Sequence, residues 1–123
     1  FLMLACDYRI AVAGDFKVGL NETMIGMTMH HFGIELARYR LPLNYFNRCA
    51  INAEMLSVEG GISAGFYDCL VAPEQLQARV DQATSTFGQL NMSAFNGTKN
   101  KSRKDVLELL DRCIEADLET PII

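Results

Sequence analysis

The sequence predicts an α/β fold: a small α/β unit over residues 1–72 and a helical region over residues 73–123. Two observations predict it. Short apolar runs bounded by turn signals fill the early part of the chain, as strands do. Apolar residues then recur at helical spacing, most clearly near the end, where Val106, Leu109, Leu110 and Cys113 form an i, i+3, i+4, i+7 stripe.

Residues 1–20 read as strand material with turns. Arg9-Ile10-Ala11-Val12-Ala13 stops at Gly14-Asp15, a turn signal, and Phe16-Lys17-Val18-Gly19-Leu20 alternates as a short strand does. Residues 24–33 are rich in Met and Gly. A short helix over 34–40 follows, with Ile34, Leu36 and Ala37 inward and Arg38 and Arg40 at its C-terminal end, where cations suit the helix dipole. Pro42 opens a new segment with Leu43, Phe46, Ala50 and Ile51 at helical spacing. Ser57 reads as the cap of a helix over 58–64 closed by Gly65, and Phe66 to Val71 as a short strand. Pro73-Glu74 starts a longer helix with Leu76, Val80, Ala83 and Phe87 on one face, ended by Gly88. Asn96-Gly97 reads as a break, and Ser102-x-x-Asp105 as the cap of the last helix.

Composition narrows the function classes. Half of the 123 residues are apolar and 21% are charged, a globular balance. A net charge of −4 and a pI of about 5.1 argue against a nucleic-acid binder. No apolar run reaches the length of a membrane span. The opening run Phe1-Leu2-Met3-Leu4-Ala5-Cys6 has no basic leader and starts as if in mid-core, so an N-terminal part is expected ahead of it. Cys6, Cys49, Cys69 and Cys113 form no C-x-x-C pair, which disfavours zinc. They read as buried reduced thiols, consistent with a reducing intracellular compartment such as the cytoplasm. The Asn-x-Ser/Thr patterns at Asn21, Asn91 and Asn96 read as chance.

Lys99, Lys101, Arg103 and Lys104 crowd into six positions of an acidic chain. They fit either a solvated helix face with pairs such as Glu108–Arg112 or a local phosphate site. The apolar stripe behind them also fits contact with another subunit.

Two motifs then carry a family resemblance. Ala5-Cys6-Asp7-Tyr8-Arg9-Ile10-Ala11, followed by Phe16-Lys17-Val18-Gly19-Leu20-Asn21-Glu22, resembles the A-C-D-x-R-I-A strand and F-x-x-G-x-P/N-E segment of the crotonase superfamily, the enoyl-CoA hydratase/isomerase group. Ser57 to Pro73, with Gly65-Phe66-Tyr67-Asp68 at its centre, resembles that family's later S-x-E-E-A-x-x-x-G-L-V-D-x-V-x-P pattern. The resemblance implies the C-terminal part of a ββα spiral core, followed by a helical oligomerisation region that builds a homotrimer or a dimer of trimers.

It further implies an acyl-CoA substrate, with coenzyme A arriving as part of that substrate and no permanent cofactor or metal. Glu22 occupies the catalytic position. A carboxylate among apolar side chains loses solvation and becomes a better proton acceptor. Met24, Met27 and Met29 are expected to wall the acyl chain, and Asn21 to shape the turn. Hydratases of the family carry a second glutamate six residues before the Asp of A-C-D. Here that position is Phe1, and the Gly19-Leu20-Asn21-Glu22-Thr23 string resembles the mitochondrial-type Δ3,Δ2-enoyl-CoA isomerases. A one-base isomerase is therefore the leading expectation. A hydratase with a non-standard second acid and a non-catalytic, oligomerising or acyl-CoA-binding protein are the alternatives. Met29-His30-His31-Phe32-Gly33 replaces the family's P-G-x-G-G stretch, and the bulkier residues narrow or redirect the acyl pocket. The adjacent His30 and His31 lack ligand spacing, and Glu35 is a weak substitute for the second acid. Lys99, Lys101 and Arg103 are expected to help hold the phosphates of coenzyme A. The family's oxyanion donors lie ahead of Phe1 in this resemblance, so the chain by itself is expected to be inactive.

Overall fold

A computed structural model of the chain describes residues 1–119. Helix α1 (Leu2–Ala5) leads into strand β1 (Ile10–Val12) and strand β2 (Lys17–Val18). Helix α2 (His31–Arg40), helix α3 (Leu43–Phe46) and a π-helical turn (Asn47–Ile51) follow. Strand β3 (Leu56–Ser57), helix α4 (Val58–Ser63) and strand β4 (Cys69–Val71) complete the α/β part, and helices α5 (Leu76–Gly88) and α6 (Met92–Glu119) follow it. β1 pairs with β4 in parallel, with Ile10 opposite Cys69 and Val12 opposite Val71. β2 pairs with β3 antiparallel, with Val18 opposite Leu56.

The elements follow from local chemistry. His30 Nδ1 accepts from the Gly33 N–H at 2.9 Å, so α2 starts three residues earlier than its apolar pattern predicts. Ser57 Oγ accepts from Gly60 N–H at 3.1 Å and caps α4, as expected. Gly65 then turns the chain with a φ of +79°, a conformation that costs any residue with a Cβ. Leu4, Leu36, Phe46, Leu56 and Phe66 are buried in one core that α1, α2, α3 and α4 surround. Each such side chain contributes roughly 1.5–3 kcal/mol by leaving water.

Five expectations are corrected. Leu2–Ala5 is helix and not strand, in keeping with the high helix propensity of Leu, Met and Ala. The strand expected over 66–71 spans only Cys69–Val71, because Phe66 and Tyr67 are buried in the core ahead of it. Asn96-Gly97 does not interrupt α6, which is continuous from Met92 to Glu119; Asn91 Oδ1 accepts from Ala94 N–H at 3.0 Å at its start. Ser102 caps nothing and instead donates to the Lys99 carbonyl at 3.0 Å. The cysteines are all free, but only Cys49 and Cys113 are buried, and burial pushes both thiols up; Cys69 is half-buried and Cys6 is exposed.

α6 folds back along α2. Both oxygens of Asp117 accept backbone N–H bonds from the first turn of α2, His31 and Phe32, each at 2.8 Å. Lys99 and Arg103 grip the two oxygens of Asp7, each at 2.5 Å, where α1 ends. Between these anchors Cys113 is buried and Leu110 packs on the core, so the apolar stripe meets α2 of its own chain. α5 places Leu76, Val80, Ala83 and Phe87 over Tyr8 and Ile10, as expected, with the Phe87 ring edge-on to Tyr8 at 5.2 Å. No described helix is long and apolar enough to cross a membrane.

Candidate active site

Glu22 opens a single 3-10 turn, Thr23–Ile25. Its carbonyl accepts from Ile25 N–H at 3.2 Å and from Met27 N–H at 2.9 Å, and Gly26 closes the turn at φ +80°. Thr23 Oγ1 donates to the Ile51 carbonyl at 3.1 Å and fastens this turn to the π-helical turn. The Glu22 side chain is thus held on a fixed loop. Its Oε2 is buried without a hydrogen-bond partner. A carboxylate oxygen in that condition is costly, and such groups concentrate where proteins do chemistry.

The next residue, Thr23, lines a cavity of about 530 Å³, whose wall does not include Glu22 itself. Met27, Met29, Ile34, Phe46, Ala50 and Ile51 supply its apolar wall, and Thr23, Thr28, Asn47 and Arg38 its polar margin. The π-helical turn contributes three of these residues. Its wider backbone spacing, with Asn52 N–H donating to Asn47 O at 3.1 Å, is a form common at functional sites.

The expected site residues separate here. Thr23, next to Glu22, lines the cavity together with Met27 and Met29, whereas Met24 is 64% exposed and stays outside its wall. Asn21 is exposed, and its carbonyl accepts from Ile25 N–H, so it shapes the turn. Phe1 packs against the core with its ring 5.1 Å from that of His30. His30 spends Nδ1 on its cap, His31 is exposed, and Glu35 pairs with Arg38 at 3.3 Å. Lys99 and Arg103 are committed to Asp7, whose carboxyl their bonds hold below the usual range, Lys99 first. Lys101 is exposed and makes no ion pair among the described residues, nor do Glu108 and Arg112 pair. Among the described residues no group of three or more His, Cys, Asp or Glu is placed to hold a metal ion.

Two features escaped sequence reasoning. Arg38 borders the cavity, with its guanidinium 4.7 Å from the centre of the Phe46 ring. Arg9 binds Asp68 through Nε and Nη2 at 3.0 and 2.9 Å and gives Nη1 to the Gly65 carbonyl at 2.7 Å. That pair joins the two matched motifs, and the opposite charges inside them were its signal.

A short parallel strand pair with helices packed around it, and a carboxylate on a turn next to an apolar cavity, is the arrangement that the crotonase resemblance leads one to expect. No protein-family model and no curated protein matches the chain. Solved structures do. Over 94% of its length the chain matches an enoyl-CoA hydratase/isomerase family protein from Pseudomonas syringae, at 52% identity and a TM-score of 0.92, covering 50% of that protein. An enoyl-CoA hydratase from Mycobacterium ulcerans matches over 93% at 30% identity and a TM-score of 0.85, with 50% of it covered. A human mitochondrial Δ3-Δ2-enoyl-CoA isomerase shares the fold, with a TM-score of 0.79 at 23% identity over 91% of the chain and 43% of the isomerase. The chain belongs to the enoyl-CoA hydratase/isomerase family. It spans about half the length of these relatives, and its α/β part with a helical tail is consistent with a C-terminal part of the crotonase fold.

Proposed function

We propose that the protein acts on acyl-CoA thioesters through an enolate and shifts a double bond from the Δ3 to the Δ2 position, with Glu22 as the one acid/base. The observation that carries this reading is the buried, unpartnered Glu22 Oε2 on the turn whose next residues, Thr23 and Met27, line the apolar cavity. In the reaction Glu22 takes a proton from one carbon of the acyl chain and returns it two carbons along, so one carboxylate suffices. Phe1 stands where a hydratase of the family carries its second acid, which supports isomerisation. Coenzyme A enters with the substrate, and nothing else is held permanently.

Lys101, with Lys99 and Arg103 beside it, forms the phosphate-binding edge in this reading. A phosphate there competes with Asp7 for the latter two. The protein works as a homotrimer or a dimer of trimers in a reducing intracellular compartment, with residues 73–123 as its assembly region; residues 120–123 lie outside the described residues.

The test uses the full-length protein with a β,γ-unsaturated and an α,β-unsaturated acyl-CoA. Conversion of the first without hydration of the second is expected. Glu22→Gln should lower turnover by at least about 10²-fold, the usual share of a general acid/base, while binding of the thioester persists. A second reading, hydration, is favoured by the 30% identity to a protein named as a hydratase. Efficient hydration of the α,β-unsaturated substrate would establish it and overturn the inference from Phe1.

A further inference from the structure

A second cavity, of about 270 Å³, lies where α1, α2 and α6 meet, apart from the one beside Glu22. α2 and α6 run antiparallel past it. Asp117 sits at the start of α2, while Arg103 binds Asp7 and Arg40, at the end of α2, donates through Nη2 to the neighbouring Cys6 carbonyl at 2.8 Å. Both guanidinium groups that border the cavity therefore gather at one end. Its body is apolar, with Leu36, Leu107, Leu110 and Ile114 in the wall. Asp111, the acidic residue of the lining, lies about 12 Å along α6 from Arg103, at a rise of 1.5 Å per residue.

The two cations differ in their partners. Arg103 is answered by Asp7. Arg40 forms no ion pair among the described residues, and its Nε is buried without a hydrogen-bond partner. The nearby carboxylate, Asp68, is committed to Arg9; burial, with repulsion from Arg9 and Arg103, outweighs the pull of Asp68 and weakens the hold of Arg40 on its own proton. Arg40 is half-buried, and an anion that meets it at the end of the apolar cavity supplies an acceptor for its unpartnered Nε. An inorganic anion meets the charge alone and forgoes the apolar wall, so it is too weak to compete. An alcohol does the reverse.

We infer that this cavity binds a small amphipathic carboxylate, a medium-chain fatty-acid anion, with its head at Arg40 and its tail along Leu107 and Leu110. The site does not depend on the reaction proposed for Glu22. The test is calorimetric titration of the full-length protein with octanoate, with octanol and inorganic phosphate as controls, with and without saturating acyl-CoA. Octanoate should bind at least about tenfold more tightly than octanol, the contribution of one charge-assisted hydrogen bond, and phosphate should not compete with it. Arg40→Gln should remove that advantage. Leu107→Trp, at a half-exposed position that tolerates substitution, should block the cavity and abolish binding. Absence of octanoate binding, equal affinity for octanol, displacement by phosphate, unchanged affinity in Leu107→Trp, or displacement by acyl-CoA would each overturn the inference. The last result would mean that octanoate and acyl-CoA share a site, either the Glu22 cavity or the Arg103 edge proposed for the coenzyme A phosphates. Isomerase assays are unaffected by any of these outcomes, so failure here and failure of the proposed function are separable.

Discussion

Arg9 and Asp68 show how much a single pair holds. The Arg9 side chain is 7% exposed and that of Asp68 34%, and together with the Arg9 N–H they form three hydrogen bonds across the start of the β1–β4 pair. The Arg9 side-chain bonds hold the Asp68 carboxyl below its ordinary value of 3.8. A carboxyl lowered on folding stabilises the fold fully above that ordinary value and loses its contribution as pH falls through the lowered one. Stability should therefore decline below about pH 4, and the decline should flatten in Asp68→Asn, as chemical denaturation at stepped pH would show. At neutral pH the same substitution should cost roughly 2–3 kcal/mol, below the full price of breaking a buried pair because Asp68 is partly solvated. Glu22 stood out at this scale as a candidate because a motif surrounds it. The place of Met24 was not, since a 3-10 turn sends neighbouring side chains in directions that neither a helix nor a strand pattern predicts.

At the scale of elements, α6 shows how local signals lose to tertiary ones. Asn96-Gly97 favours a break and Ser102 favours a cap, yet the helix runs through both because its flanks are anchored on Asp7 and on α2. Gly97 thus remains as a local defect: it has helical backbone, and a Cβ there meets nothing within 4 Å. Gly97→Ala should stabilise the protein by roughly 0.5–1 kcal/mol, read from a denaturant midpoint with unchanged slope; a loss of stability would mean that α6 has a kink there that glycine serves. The other anchor is open to a sharper measurement. Desolvation raises the Asp117 carboxyl, but bonds from the Phe32 and His31 N–H groups and the nearby histidines outweigh it, and the net effect is a lowering. Asp117→Ala should speed amide exchange in the first turn of α2 and the last turns of α6, leaving β1 and β4 unchanged. Uniform acceleration would show instead that α6 supports the whole core. The anchor was not legible beforehand, because nothing in a sequence pairs residues 31 and 117 that fold together only through packing of two whole helices.

At the scale of the whole molecule, some features follow from local patterns and others only from packing. Its α/β order, the cap at Ser57, the α5 face and the carboxylate at Glu22 all follow from patterns of local spacing or from motifs. The second cavity and the antiparallel α2–α6 contact arise from packing across the chain and left no local trace. The two strand pairs are each only two strands wide, which is marginal without helices to cover them. The chemistry is equally partial. In the proposed reaction Glu22 would supply proton transfer, but the enolate would also need two backbone N–H donors, and the family resemblance places both in the half of a family chain that these residues do not span. Loss of one such donor costs about 10²–10³ in rate, so the 123-residue chain alone should turn over a β,γ-unsaturated acyl-CoA at least about 10⁴-fold more slowly than the full-length protein. The comparison should be made at equal concentration, with far-ultraviolet circular dichroism to establish that the chain is folded. Turnover by the folded chain at the full-length rate would mean that donors within residues 1–119, such as the N–H groups of the loop between Gly26 and His30, stabilise the enolate, and the placement taken from the family would then be wrong.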